Sequence, residues 1–405
     1  MLLPNNNAID AAFIAEHRTD DVRRLALAKA PQGVDLPYCL TQIEGWQTAR
    51  TKLPAWAEAD GIVYPPRLSM EQCSSQLTGQ YKASIPLAPF FSSSSADAQR
   101  SMADLTGGFG VDFSFLAPHF QQALYVERQE LLCEVALHNF QQLGLSHATV
   151  QCAEAADVLP ALSHLSLLYL DPARRDEAGR KVVALADCTP DVAALHDQLV
   201  AAADVVMIKL SPMLDIRQTL RDLPAVRQVH VVSVDGECKE LLFLLSSTPV
   251  PLTYHCVNLG RRPQTLVVEA DVLTPAVIAS EPGRYIYEPN ASILKAGVQD
   301  VLCQRLGVQK LHPFSHLFTS EELVPDFPGR CFQLQAWSGF GKKELRTLLS
   351  DVRQANLTVR NFPATVQQLR QRLRLSEGGE TYLFATTLAD GQHVLLRCIH
   401  NTILP

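Results

Sequence analysis

The 405-residue sequence contains no Cys-x-x-Cys pair, although ten cysteines are spread from Cys39 to Cys398. That spacing supplies neither a tetrahedral zinc site nor a disulfide framework. Cys133 and Cys152 sit in apolar runs, where a thiol packs as a small hydrophobe. No apolar stretch reaches about 18 residues, the length a membrane-spanning helix needs. The amino terminus, MLLPNNNAID, lacks the cationic and apolar segments of a secretory signal. Together these absences predict a reduced, cytoplasmic protein with no membrane partner. Internal repeats and low-complexity tracts are also lacking; Ser92–Ser95 reads as a linker. His312 and His316 stand four residues apart, but Pro313 separates them and no third ligand is near, so no metal is expected. The net charge of −7 gives no general pull toward nucleic acid.

Length and apolar content are abundant. At 405 residues and 47% hydrophobic composition, the chain should build several globular domains. Residues 8–60 carry helical periodicity, with Phe13, Ile14 and Leu25 near one face. Asp35-Leu36-Pro37 breaks the pattern, and Pro54 and Pro65-Pro66 end it, so residues 1–80 read as a helical domain. From about residue 100, short apolar strands alternate with helix-length pieces: MADL, ALYVE, ATVQCA, LSLLYL and VVMIKL. VRQVHVVSV and ELLFLLS follow, separated only by a turn around Asp235-Gly236. Such alternation predicts an α/β domain over 96–250, with a mostly parallel sheet finished by an antiparallel hairpin. Residues 251–330 read as a small α+β (ferredoxin-like) segment, with RYIYEPNASILKAG as strand, turn and helix start. Residues 331–405 read as a further α+β unit: strand QLQAW, helices KKELRTLLSDVRQA and TVQQLRQRL, and a hairpin around ADG.

ADLTGGFGVD, residues 103–112, follows the first of these strands. Gly107, Gly108 and Gly110 let the backbone turn tightly and come close to a ligand. Glu127 closes the next strand, where a carboxylate can accept from both hydroxyls of a ribose. Glu154 closes the third, within reach of an adenine edge. Acids at successive strand ends line the crevice where open α/β sheets bind ligands. The loop order, Asp-x-Thr-Gly-Gly-x-Gly, is not the G-x-G-x-x-G of dinucleotide enzymes. Asp104 immediately before the loop disfavours a pyrophosphate and favours a ligand carrying positive charge. S-adenosylmethionine, with its ammonium and sulfonium, fits.

Asp104–Gly110 resembles the first motif of class I S-adenosylmethionine-dependent methyltransferases, with Thr106 in place of the first glycine. Glu127 matches the ribose-binding acid of that class and Glu154 the adenine-side acid. From about residue 8 onward the chain is similar to a bacterial group of candidate methyltransferases with a THUMP-like carboxy-terminal domain. EQCSSQLTGQYKA, DLTGGFGVD, YVERQELLCEVALHNF, YLDPARR, KLSPMLDI and VRNFP carry the likeness. The resemblance implies a Rossmann-like sheet of order 3-2-1-4-5-7-6 with the last strand antiparallel. It implies S-adenosylmethionine held by Asp104, Thr106, Gly107, Gly108, Gly110, Glu127 and Glu154, with Gln72, Ser74 or Ser75 as a lid.

LLYLDPARRDEAG ends an apolar strand on a carboxylate, a proline and two arginines. By resemblance, Asp171-Pro172-Ala173-Arg174 occupies the place of an Asp/Asn-Pro-Pro-aromatic motif. This implies that the Asp171 carboxylate and the following carbonyl accept hydrogen bonds from an exocyclic amino group. Pro172 pre-sets the backbone for it. Arg174 replaces the aromatic, and a guanidinium can stack on a base or grip an anion bidentately. The structural alternatives are an N-cap for Asp171, and ion pairing of Arg174 and Arg175 with Asp176 and Glu177. Lys209 and Ser211 are candidates to reach a substrate anion, with Asp215 ordering their loop; a plain proline-capped turn explains the stretch equally well. Residues 341–375 hold eight basic residues against two acidic ones, the footprint of a phosphate-backbone contact. Lys342, Lys343 and Arg360 are the candidate RNA contacts there and Phe340 and Phe362 the stacking groups; a solvated helix face is the alternative. The expected activity is methylation of an exocyclic base nitrogen of RNA. The alternatives are a methyltransferase for a protein or small anionic molecule, or a non-catalytic RNA-binding module retaining the fold.

Overall fold

The computed structural model describes residues 7–91, 100–174, 185–272 and 275–400. The Ser92–Ser95 linker and Arg175, with Asp176 and Glu177, lie outside the described residues. The chain divides into one unit of residues 1–229 and 240–250, and a second of 230–239 and 251–405.

The first unit opens with helices α1 (Ala8–His17), α2 (Val22–Leu27), α3 (Leu36–Lys52), α4 (Pro54–Glu58), α5 (Arg67–Gln72) and α6 (Gln76–Ser84). Side-chain caps start several of them: Asp21 on Arg23, Asp35 on Tyr38 and Ser75 on Thr78. Pro54 stops α3 after Lys52 and occupies the first turn of α4, where its missing N–H costs nothing. Ala49, Leu53, Trp56, Tyr64 and Met70 then form one core with Phe109, Val111 and Val135 from the α/β segment. Asn139 seals this contact, accepting from the Val63 amide at 2.9 Å and donating to the Val63 carbonyl at 2.9 Å.

The sheet strands are β1 (Ser101–Asp104), β2 (Gln122–Glu127), β3 (Ala148–Cys152), β4 (Leu165–Leu170), β5 (Ala203–Leu210), β6 (Val226–Val234) and β7 (Glu237–Leu245). Their order is β3-β2-β1-β4-β5-β7-β6, the arrangement expected from the sequence. Pairs β1·β2, β2·β3, β1·β4 and β4·β5 are parallel, and β5·β7 is antiparallel. All six residues of β4 are buried, as a central parallel strand covered on both faces requires. Helices α7 (Val111–Leu116) and α8 (Glu130–Gln142) follow β1 and β2. At Gly79 of α6 a Cβ would lie 2.4 Å from the Phe115 ring, so glycine permits the close approach of α6 to α7.

The second unit takes the tip of the β6–β7 hairpin together with β8 (Thr253–Leu259) and β9 (Gln264–Glu269), an antiparallel pair. It also contains a sheet of β10 (Tyr285–Pro289), β11 (Gln309–Lys310), β12 (Phe318–Ser320), β13 (Gly329–Ser338), β14 (Asn356–Val359), β15 (Thr381–Thr387) and β16 (His393–His400). The order is β11-β12-β10-β13-β16-β15-β14. Edge strand β14 runs parallel to β15, and the sequence reading left it unassigned. The helix before it stops at Leu348, and Leu357, Leu383 and Leu395 share a core with Leu369 of a second helix, Val366–Leu373. Among the described residues no helix is long and apolar enough to cross a membrane, and no cluster of three or more potential ligands could hold a metal ion.

Candidate active site

Parallel register sets Asp104 of β1 beside Tyr169 of β4, so both strands release their chains at neighbouring points. The Leu105 amide donates to the Tyr169 carbonyl at 3.1 Å. One residue further, the Asp171 amide donates to Thr106 Oγ1 at 2.6 Å. Thr106 therefore ties the glycine loop to the Asp-Pro turn, which a glycine at that position could not do.

Asp104 is buried, and its Oδ1 accepts the Thr106 amide at 2.9 Å. Burial pushes its carboxyl well above the usual carboxylate range, against the opposing pull of that hydrogen bond. Enclosed in this way, it braces the loop from within rather than meeting a ligand as an exposed charge. The Gly107 amide donates to the Val126 carbonyl at 2.8 Å, and a Cβ at Gly107 would stand 2.1 Å from the Tyr125 ring. Gly108 differs. Its φ is +57°, its amide donates to Glu127 Oε2 at 2.9 Å, and a Cβ would meet only the Thr106 carbonyl at 3.8 Å. That open side lets a ligand approach the backbone. Glu127 is buried at the end of β2, and its Oε1 accepts the Gln129 amide at 2.9 Å. Glu154 is exposed two residues beyond β3, in the N-cap position of a one-turn helix, Ala155–Val158.

Gly107→Ala should be costly, because the added methyl cannot fit unless Tyr125 moves, and the Tyr125 hydroxyl itself donates to the Gly108 carbonyl. We expect a loss of about 1–3 kcal/mol in urea unfolding, as for other overpacked sites.

Asp171 lies at the mouth of a buried charged array. Lys209 Nζ is 2.5 Å from Asp171 Oδ2, 3.4 Å from Asp112 Oδ2 and 3.3 Å from Ser74 Oγ. Asp112 Oδ2 also accepts from the Tyr169 hydroxyl at 2.7 Å and from Ser74 at 2.8 Å. Lys82 of α6 lies behind, 3.2 Å from Asp112 Oδ1 and 2.6 Å from Glu240 Oε1. Burial would push Asp112 up, but Lys82 and Lys209 outweigh it and hold the carboxyl well below its usual range. Burial likewise acts to lower Lys209, yet Asp171 and Asp112 raise it further above the normal lysine range. The Asp171 side chain is 39% exposed, whereas Lys82 is fully enclosed.

Residues 285–328 match a ferredoxin-like domain family and residues 329–399 a THUMP-like domain family. The chain is 34% identical to a candidate methyltransferase of Porphyromonas gingivalis whose crystal structure is known. That match covers 99% of this chain and 100% of the other, with a TM-score of 0.84. It is also 26% identical, over 73% of its length and 79% of theirs, to uncharacterised S-adenosylmethionine-dependent methyltransferases from two Mycobacterium tuberculosis strains. The chain belongs to the class I S-adenosylmethionine-dependent methyltransferases with a THUMP-like domain.

The residues of this methyltransferase fit its cofactor. Gly108 leaves its backbone open to a ligand, and Glu127 stands buried next to it at the strand end. Lys209 corrects the sequence reading. It is engaged by two carboxylates and a hydroxyl, so it has no free ammonium for a substrate anion. Ser211 accepts the Met213 amide and shapes the turn, while Asp215 caps the helix Ile216–Asp222 by accepting from Gln218. Ser74 lies inside the charged array, Gln72 is exposed, and Ser75 caps α6. The backbone of Ala173-Arg174 pairs with Cys188-Thr189 in a short antiparallel ladder. In the second unit, Arg360 joins Arg330 on the buried Glu288. The Phe340 and Phe362 rings pack on each other at a tilt, centroids 4.7 Å apart, and lie against the core. Lys342 and Lys343 are exposed.

Lys82, Asp112, Tyr169 and Glu240 escaped the sequence reading, which named Ser74 only as a lid candidate. Asp112 directly follows the glycine loop and Lys82 lies in the EQCSSQLTGQYKA stretch, but no spacing rule joins residues 158 positions apart.

Proposed function

We propose that this methyltransferase transfers its methyl group to an exocyclic amino nitrogen of an RNA base. The observation that carries the reading is the Asp171 carboxylate, partly open and tied through its own amide to Thr106 of the glycine loop. S-adenosylmethionine would supply a methyl group on a sulfonium: an amine lone pair forms the N–C bond as the S–C bond breaks, S-adenosylhomocysteine leaves as a neutral thioether, and the amino group gives up one proton to solvent. Glu127 and the Gly108 backbone hold the ribose end, with Glu154 toward the adenine. Asp171 Oδ1 and the Pro172 carbonyl accept the two N–H groups of the acceptor and so direct its lone pair, a contribution of position rather than of covalent chemistry.

Charge favours a neutral acceptor. Lys209 already neutralises Asp171 at 2.5 Å, so an ammonium such as a protein lysine gains little from the carboxylate and is repelled by Lys209. An aromatic amino group carries no such charge.

The THUMP-like match and the exposed Lys342 and Lys343 support RNA as the partner. Changing both lysines to alanine should weaken binding to cellular RNA across sequences. The slope of log affinity against log salt should fall by about 1.5, given roughly 0.7–0.9 per phosphate contact.

Tritiated-methyl transfer in a cell lysate, divided into RNA, protein and small-molecule fractions, tests the acceptor class. Label lost to RNase supports the reading. Label in the protein or small-molecule fraction overturns it.

A further inference from the structure

The array behind Asp171 joins parts of the chain that are remote in sequence: Ser74 and Lys82 from the helical segment, Asp112 from α7, Tyr169 from β4, Lys209 from β5 and Glu240 from β7. Three carboxylates face two ammonium groups, and of the three acids Asp171 is the one at the surface. Lys209 has three N–H donors and three oxygens around it: Asp171 Oδ2, Asp112 Oδ2 and Ser74 Oγ. Asp112 is fixed in turn by Tyr169, Ser74 and Lys82.

We infer that Lys209 is a positioning residue that acts through Asp171, and that the helical segment completes the catalytic apparatus through Ser74 and Lys82. With Oδ2 held by Lys209 and the backbone held by Thr106, the Asp171 side chain keeps one orientation. Oδ1 is left to the acceptor. Lys209 touches no substrate; it determines where the carboxylate points. A side chain with four torsions between its ammonium and its backbone could not do this alone, and the contacts of Asp112 and Ser74 restrain it. This inference rests on the assignment of Asp171 as the acceptor-binding residue, but not on the acceptor being RNA.

The test compares wild type, Lys209→Met, Lys209→Arg, Asp171→Ala and the Lys209→Met/Asp171→Ala double variant. Each is measured for S-adenosylmethionine affinity by calorimetry and for kcat and KM in whichever lysate fraction the wild type labels. Lys209→Met should keep the affinity for S-adenosylmethionine within threefold and KM within threefold while losing at least 50-fold in kcat. The double variant should be no slower than Asp171→Ala alone, and Lys209→Arg should recover part of kcat. Should Lys209→Met fail to fold by its melting curve, Lys209→Gln carries the same comparison.

A rise in KM alone would make Lys209 a substrate contact and overturn the inference. So would losses that multiply in the double variant, or an unchanged kcat. Label in a fraction other than RNA defeats the RNA reading and leaves the Lys209 comparison intact. A wild type that labels no fraction defeats both.

Discussion

Asp171→Ala is expected to bind S-adenosylmethionine with wild-type affinity and to transfer methyl groups on the order of 10²–10³-fold more slowly, the scale seen when one oriented polar contact to a reacting group is removed. The carboxylate makes no hydrogen bond to the glycine loop through its side chain; the tie to Thr106 runs through the backbone amide, which alanine keeps. The cofactor site should therefore survive the substitution. Glu127→Ala should behave in the opposite way. It removes the acceptor for both the Gly108 and the Gln129 amides, and cofactor affinity should fall about 10–100-fold, or 1–3 kcal/mol. Calorimetric titration and tritiated-methyl transfer, run on both variants, separate the two roles. If Asp171→Ala lost affinity and turnover together, the carboxylate would belong to the cofactor site.

The largest effect on stability should come from Asp112→Ala, with a loss of about 3–5 kcal/mol in urea unfolding. The carboxylate is enclosed between Lys82 and Lys209, and its removal leaves two ammonium groups sharing Glu240 and Asp171. Replacing one partner of a buried charge pair is worse than never having built it, because the remaining charge stays desolvated. The same array gives the protein a pH signature. Asp112 is depressed below the unfolded value of about 3.9, so its contribution is complete above that pH and is lost as pH falls through the lower folded value. Lys209 is raised, so its contribution is complete below about 10.4 and is lost as pH rises toward the folded value. Glu240 runs opposite to Asp112: burial, partly offset by Lys82, raises it, so its contribution is present below about 4.3 and fades as pH climbs through the folded value. Unfolding midpoints measured from pH 6 to 11 should decline above about pH 10 in the wild type, and less so in Asp112→Ala. A profile that stayed level through pH 11 would remove the buried Lys209–carboxylate pairing from the account.

Much of the fold is legible in the sequence because sheet formation follows local pattern. LSLLYL announces a strand buried on both faces, and β4 is that strand. The short turn at Asp235-Gly236 demands an antiparallel pair, and β6 and β7 obey it. Strand β14 was harder to read: NLTV is a four-residue edge segment, at the lower limit of the length over which strand alternation shows. Gly107, Gly108 and Gly110 identify the loop because steric demands on a turn act within a few residues.

The sequence by itself determined the strands, the glycine loop and the delivery of Asp171 to a strand end, since each depends on residues close together along the chain; the strand order was implied by the family resemblance. Tertiary structure alone decided the partners of the charged groups. Lys209, a candidate to reach a substrate anion, pairs with Asp171, and Arg360, a candidate RNA contact, pairs with the buried Glu288. The reason is physical: a buried charge takes the nearest opposite charge that packing offers, and packing brings together residues that no local pattern connects.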